Sequence, residues 1–201
     1  MSDHIDFYFD IISPYAFIAY KKIIKIENIK FNFKPILLGG LHNLVGITAP
    51  AFNAFKLKNM KNDCELISKK NKFNFIWNSK FPINSLYIMR GYLFVQENKK
   101  KEYLETFFNA YWQNDIDLTN EENITKLLNN LSIDHKQFFE GIANDKIKDE
   151  LKNITNEAFK KEIFGAPTFV VNKKIFWGQD RLEYALAVSY THLTLPTICS
   201  V

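Results

Sequence analysis

Residues 5–17 read Ile5-Asp6-Phe7-Tyr8-Phe9-Asp10-Ile11-Ile12-Ser13-Pro14-Tyr15-Ala16-Phe17. The first five alternate and are rich in aromatics, the pattern of a half-buried strand. Ser13-Pro14 then has the chemistry of a helix start. A serine side chain accepts from a free N–H of the first turn, and proline suits the first helical position because its missing N–H is not needed there. Helical periodicity continues from Tyr15 to Glu27. A strand therefore runs almost directly into a helix that begins at Ser13.

Working outward, Phe31-Asn32-Phe33-Lys34-Pro35-Ile36-Leu37 reads as a second strand, and Pro35 puts it at an edge or an end. Gly39-Gly40 is expected to break it. From residue 50 to 161 the pattern is helical. Helices are expected over 51–70, from Phe81-Pro82 through Phe94, and over 102–112, 134–142 and 145–161. Thr119-Asn120-Glu121-Glu122 resembles a capping box ahead of Leu127 and Leu128. Strand character returns at Thr168-Phe169-Val170-Val171. Asn172-Lys173 reads as a hairpin turn into Lys174-Ile175-Phe176-Trp177. Gly178 ends that strand, and 179–187 is helical. The order β-α-β, helical block, β-β-α predicts an α/β fold: a split sheet with helices inserted in its middle. The expected division is one domain from residues 1–40 and 162–187, with a helical insertion over 41–161.

The chain has 201 residues, of which 47% are apolar and 15% aromatic, so it can bury a real core and is not a disordered segment. Its net charge of +4 comes almost wholly from Lys, spread along the chain and interleaved with acids. A nucleic-acid binder would cluster that charge in a stripe, so nucleic acid is not expected as a partner. No apolar run approaches the ~20 residues of a membrane span. Met1-Ser2-Asp3-His4 lacks the basic and apolar regions of a signal peptide, so a cytosolic protein is expected.

Residues 188–197 read Val-Ser-Tyr-Thr-His-Leu-Thr-Leu-Pro-Thr, and residues 188–201 contain no Asp, Glu, Lys or Arg. This stretch looks like a translated sequencing adaptor that interrupts a helical pattern ending at Ala187, and it is expected to be foreign to the fold. Setting it aside removes Cys199 and leaves Cys64, which has no partner for an internal disulfide. No Cys/His cluster has metal-ligand spacing, so no metal is expected.

Three places could carry chemistry. Ser13 lies at a helix N-terminus, where free N–H groups and the helix dipole favour an anion such as a thiolate; taken alone, this segment reads first as a plain helix cap. Gly165-Ala166-Pro167-Thr168 puts a proline between a glycine and a strand, which fits a cis turn exposing the Ala166 backbone, or an ordinary trans turn. In Trp177-Gly178-Gln179-Asp180-Arg181, Asp180 is placed either to cap a helix or to bind an ammonium group.

Phe7-Tyr8-Phe9-Asp10 followed by Ser13-Pro14-Tyr15-Ala16-Phe17 resembles the opening of the 2-hydroxychromene-2-carboxylate isomerase family. Ile163-Phe164-Gly165-Ala166-Pro167-Thr168-Phe169 and Phe176-Trp177-Gly178-Gln179-Asp180-Arg181-Leu182 resemble its closing motifs. The resemblance covers residues 5–187 and extends to kappa-class glutathione transferases and DsbA-like proteins. It implies a thioredoxin-like fold with an inserted helical domain, glutathione as cofactor and a homodimer. It implies Ser13 as the catalytic residue, standing where redox relatives carry the first Cys of a Cys-Pro-x-Cys motif. Dithiol exchange needs an attacking protein thiolate, and Ser13-Pro14-Tyr15-Ala16 provides none.

By the same resemblance Lys56, with Asp63 seven residues on, lies near the glutathione, Ala166 and Pro167 hold its cysteinyl backbone, and Gln179 and Asp180 meet its γ-glutamyl end. Ile47 and Asn59 depart from the Asn and Tyr that relatives often carry, and Asn53 lies nearby. The implied reaction is cis–trans isomerisation of 2-hydroxychromene-2-carboxylate or a related unsaturated keto acid, in aromatic breakdown. Tyr15, Trp77, Phe81, Tyr87 and Trp112 are aromatic candidates for the substrate pocket, or for plain core packing. The competing readings are a kappa-like glutathione transferase or thiol-dependent oxidoreductase, and a non-catalytic binding protein on a thioredoxin fold.

Overall fold

A computed structural model describes residues 4–191. Four strands, β1 (His4–Phe9), β2 (Lys30–Pro35), β3 (Thr168–Val171) and β4 (Lys174–Trp177), form a sheet in the order β2-β1-β3-β4. β2 runs parallel to β1, whereas β3 and β4 are antiparallel additions. Parallel pairing needs a crossover, and α1 (Pro14–Ile23) supplies it. The helices α2 (Leu38–Val45), α3 (Ala54–Lys70), α4 (Leu86–Phe94), α5 (Lys100–Trp112), α6 (Glu121–Asn130), α7 (His135–Ile142) and α8 (Asp145–Lys160) lie between β2 and β3 in the chain. After β4 comes α9 (Leu182–Thr191). This is a thioredoxin-like fold with a large helical insertion between its β-α-β and β-β-α halves.

The alternation read in the first strand sorts its side chains. Phe7 pairs in register with Phe33 on one side and Phe169 on the other, with ring centroids 5.5 and 5.4 Å away. Phe7 and Phe9 share their core with Phe17 and Tyr20 of α1 and Phe108 of α5. Tyr8 points to the opposite face, among Ile36, Leu41, Ala158 and Ile163. Burying one such large side chain contributes roughly 1.5–3 kcal/mol, so this two-faced core fixes β1 and the loop that follows it.

Several local expectations are met. Pro35 ends the edge strand β2, and Asn172 and Lys173 both take positive φ, as their tight hairpin requires. Others are corrected. Gly39 and Gly40 lie inside α2 instead of ending the second strand, which already stops at Pro35. The Leu37 N–H donates to Thr155 Oγ1 at 3.0 Å and the Leu38 N–H to Asp10 at 2.8 Å, so partners distant in sequence hold the start of a helix that glycine disfavours. Phe81-Pro82, a cis peptide, does not start a helix; α4 begins at Leu86. Phe73, Phe75, Trp77 and Phe81 instead lie partly buried against the core, and the Ile76 N–H donates to the Trp112 carbonyl. At α6 the cap is Asn120, bonded to the Glu122 N–H, while the Thr119 hydroxyl turns to Asp117. The last helix continues past Ala187 to Thr191, so Val188 to Tyr190 are helical. The rest of the suspected foreign stretch, residues 192–201, lies outside the described residues.

Candidate functional site

Ser13 caps α1. Its backbone is extended (φ −84°, ψ 114°), and its Oγ accepts from the Ala16 N–H at 3.1 Å. The same hydroxyl donates to the Ala166 carbonyl at 2.8 Å, so the first helix is joined to a turn 153 residues away. The Ala166–Pro167 bond is cis, which decides between the two turns the sequence left open. The Thr168 hydroxyl donates to the Gly165 carbonyl at 2.7 Å, and the Gly178 N–H donates to the Pro167 carbonyl at 3.0 Å. That last bond ties the turn to the segment carrying Gln179 and Asp180. Gly178 has φ 113°, a conformation favouring glycine. Gln179 and Asp180 do not cap the following turn through their side chains.

Three supports fix the loop ahead of Ser13. The Ser13 N–H donates to the Asp10 carbonyl at 3.0 Å. The buried Trp112 indole donates to the Ile11 carbonyl at 2.7 Å. The Asp10 carboxylate, fully buried, accepts from the Ile12 N–H (3.1 Å), the Leu38 N–H (2.8 Å) and the Ser85 hydroxyl (2.9 Å). Burial pushes its pKa up to about 6, against the lowering effect of those donors.

Tyr15 sits in the first turn of α1, and its hydroxyl donates to Asp63 at 2.8 Å. Burial first, and then the Asp63 hydrogen bond, push the phenol well above its usual range. Lys56 and Asp63 share a stripe of α3, two turns apart. Lys56 is exposed, and its N–H is capped by Asn53 at 3.0 Å, which gives Asn53 a structural role. Gln179 is held by Lys22 from the last turn of α1, and Asp180 makes a 3.5 Å contact with Arg181.

The structure thus gathers Ser13, Ala166 and Pro167 directly, with Gln179 and Asp180 next along the backbone and Tyr15 tied to α3 through Asp63. Trp112 is corrected: it is fully buried and braces the Ile11 carbonyl, so it lines no opening. Trp77 and Phe81 pack on it, with centroids 5.6 Å from its ring. Tyr87 is 56% exposed at the start of α4. Beside the cis turn stands an aromatic pair that the sequence did not single out, Phe164 and Trp177, with centroids 4.8 Å apart and Trp177 53% exposed. A Cβ on Gly165 would lie 2.6 Å from the Trp177 Nε1, so glycine permits this packing. Asp10 was visible as the one acid between strand and cap. Lys22 carried no signal among so many lysines.

Among the described residues, no group of three His, Cys, Asp or Glu side chains could hold a metal. Cys64 is fully buried, and its thiol is pushed up by that burial and by nearby Asp63 and Glu65. No helix among the described residues is long and apolar enough to cross a membrane. An open recess of about 610 Å³ between α8 and β2, lined in part by Tyr8, Lys34, Lys146 and Lys161, includes none of the site residues above.

Known proteins are similar to this chain in sequence and fold. The 2-hydroxychromene-2-carboxylate isomerase of Sphingobium xenophagum is 23% identical over 189 residues, covering 92% of this chain and 96% of its own. Glutathione S-transferase kappa 1 of Rattus norvegicus is 23% identical over 215 residues, covering 96% and 95%. A solved structure of 2-hydroxychromene-2-carboxylate isomerase superposes with a TM-score of 0.84 at 22% identity, over 94% of this chain and 95% of that one. The family described as DSBA-like thioredoxin domain matches residues 4–187, almost all of what the structure describes, and the chain belongs to that family.

Proposed function

We infer that the protein is a glutathione-dependent cis–trans isomerase acting on an unsaturated keto acid of the 2-hydroxychromene-2-carboxylate type. The observation that carries this reading is the Ser13 hydroxyl at the N-terminus of α1, 2.8 Å from the carbonyl of the residue before a cis proline. The relatives named as isomerases and kappa transferases support it.

The residues present suit glutathione from end to end. Ser13 offers a hydroxyl to the thiol, and Ala166 offers backbone groups for strand-like pairing with the cysteinyl unit. Gln179 and Asp180 offer a donor and an acceptor to the γ-glutamyl end, and exposed Lys56 offers an ammonium to a carboxylate. When bound, glutathione supplies a thiolate that adds to a conjugated carbon, lets the former double bond rotate, and leaves unchanged. Ser13 and the start of α1 raise the thiolate fraction. A free thiol has a pKa near ~8.5, and tenfold more thiolate requires about 1.4 kcal/mol. A charge-assisted hydrogen bond with the helix dipole supplies that much.

Calorimetry with glutathione, followed by chromatography of keto-acid isomers, tests the reading. The expected result is binding by the parent and isomerisation without loss of glutathione. Stoichiometric consumption of glutathione would instead favour the kappa-transferase reading, which the rat relative's 96% coverage of the chain keeps in view. Absence of binding would leave a non-catalytic thioredoxin-fold protein.

A further inference from the structure

Lys22 lies in the last turn of α1, the helix that Ser13 caps. Its ammonium is 2.5 Å from one side-chain atom of Gln179 and 3.5 Å from the Gln179 backbone carbonyl oxygen. A lysine ammonium only donates, so the nearer atom must be the amide oxygen, Oε1. Gln179 itself is buried, at 8% exposure. Its amide nitrogen makes no hydrogen bond among the described residues and is not among the buried atoms without partners, so that nitrogen keeps some contact with solvent. The next residue, Asp180, presents a carboxylate engaged only by the loose 3.5 Å contact with Arg181, both side chains being about half exposed. Exposed pairs of that kind are worth little and exchange readily.

A donor held outward beside a carboxylate whose only contact is loose and exchangeable complements the head of an α-amino acid, whose carboxylate only accepts and whose ammonium only donates. We propose that Lys22 is a positioning residue, which holds the Gln179 amide with its oxygen inward and its NH2 turned toward the carboxylate of the γ-glutamyl end of glutathione. Without Lys22 the amide is free to flip and present its oxygen to that carboxylate. The inference rests on the glutathione reading above.

The test is calorimetry on the full chain with two probes, glutathione and cysteinylglycine, the second lacking the γ-glutamyl unit. Lys22→Met keeps the aliphatic packing and is expected to weaken glutathione about tenfold, the size of one hydrogen bond to a charged group. Cysteinylglycine should bind the variant and the parent alike. Lys22→Arg should restore most of the glutathione affinity, and Lys22→Met should have no further effect in a Gln179→Ala background. Equal loss for both probes, or the same loss in the Gln179→Ala background, would overturn the positioning role while leaving the glutathione reading intact. A parent that binds no glutathione overturns both.

Discussion

The Ser13 hydroxyl gives its single proton to the Ala166 carbonyl at 2.8 Å, so on the proposed reading a thiolate must compete with that carbonyl for it. Delivering it to sulfur requires that bond to open, at a net cost of about 1 kcal/mol, which a stronger bond to an anion offsets. Ser13→Ala removes both this bond and the helix cap. It should lower unfolding stability by roughly 1–2 kcal/mol and raise the thiol pKa of bound glutathione by about one unit, read by urea denaturation and by thiolate absorbance. An unchanged thiol pKa would remove Ser13 from the chemistry.

The position can be probed without glutathione. Ser13→Cys places a thiol at the N-terminus of α1, where thiol pKa values fall below ~8.5. The new thiol should alkylate at pH 6–7 much faster than Cys64, which is buried and whose thiol is pushed up. Alkylation following an ordinary thiol profile would show that the helix start exerts no useful field there.

Asp10 sets a pH dependence whose sign runs against the usual carboxylate. Its folded pKa is raised from 3.8 to about 6, so between those values the folded state holds a proton that the unfolded state has lost. This contribution falls as pH rises through that window and is constant above it. Ionised Asp10 costs roughly 3 kcal/mol at pH 7. Stability curves of the parent and Asp10→Asn, compared from pH 4 to 7, should diverge with that slope. Parallel curves would mean that Asp10 titrates as an ordinary acid.

Two glycines should respond differently to alanine. The added methyl at Gly91 meets the Tyr103 hydroxyl and the Phe138 ring, both buried, and overpacking there should cost about 1–3 kcal/mol. At Gly165 the obstacle is Trp177, half exposed and able to yield. Gly165→Ala should therefore cost less than Gly91→Ala in denaturant titration and shift tryptophan emission. Equal costs would contradict the difference in packing.

The strands and α1 were legible because their signals are local: alternation in Ile5–Phe9, a serine-proline start, a two-residue hairpin. The cis turn and the Ser13 cap were legible as alternatives that only the fold could choose between. The start of α2 was hidden, since Gly39 and Gly40 speak against a helix and the acceptors that hold its first N–H groups come from Asp10 and Thr155. Trp112 could be read as core or pocket; its bond to Ile11 settles it as core. Lys22 was illegible for the same reason, its meaning lying wholly in a partner 157 residues away.

The bonds around Ser13 join residue 10 to 85, 11 to 112 and 13 to 166. β1 lies between β2 and β3, so while the chain is being synthesised one side of this aromatic strand stays unpaired until Thr168 has emerged. Contacts of such sequence separation form slowly, and open strand edges invite pairing between chains. The serine is made 153 residues before the carbonyl that accepts its proton. Slow or crowded synthesis should therefore lose this protein to aggregation before the site exists.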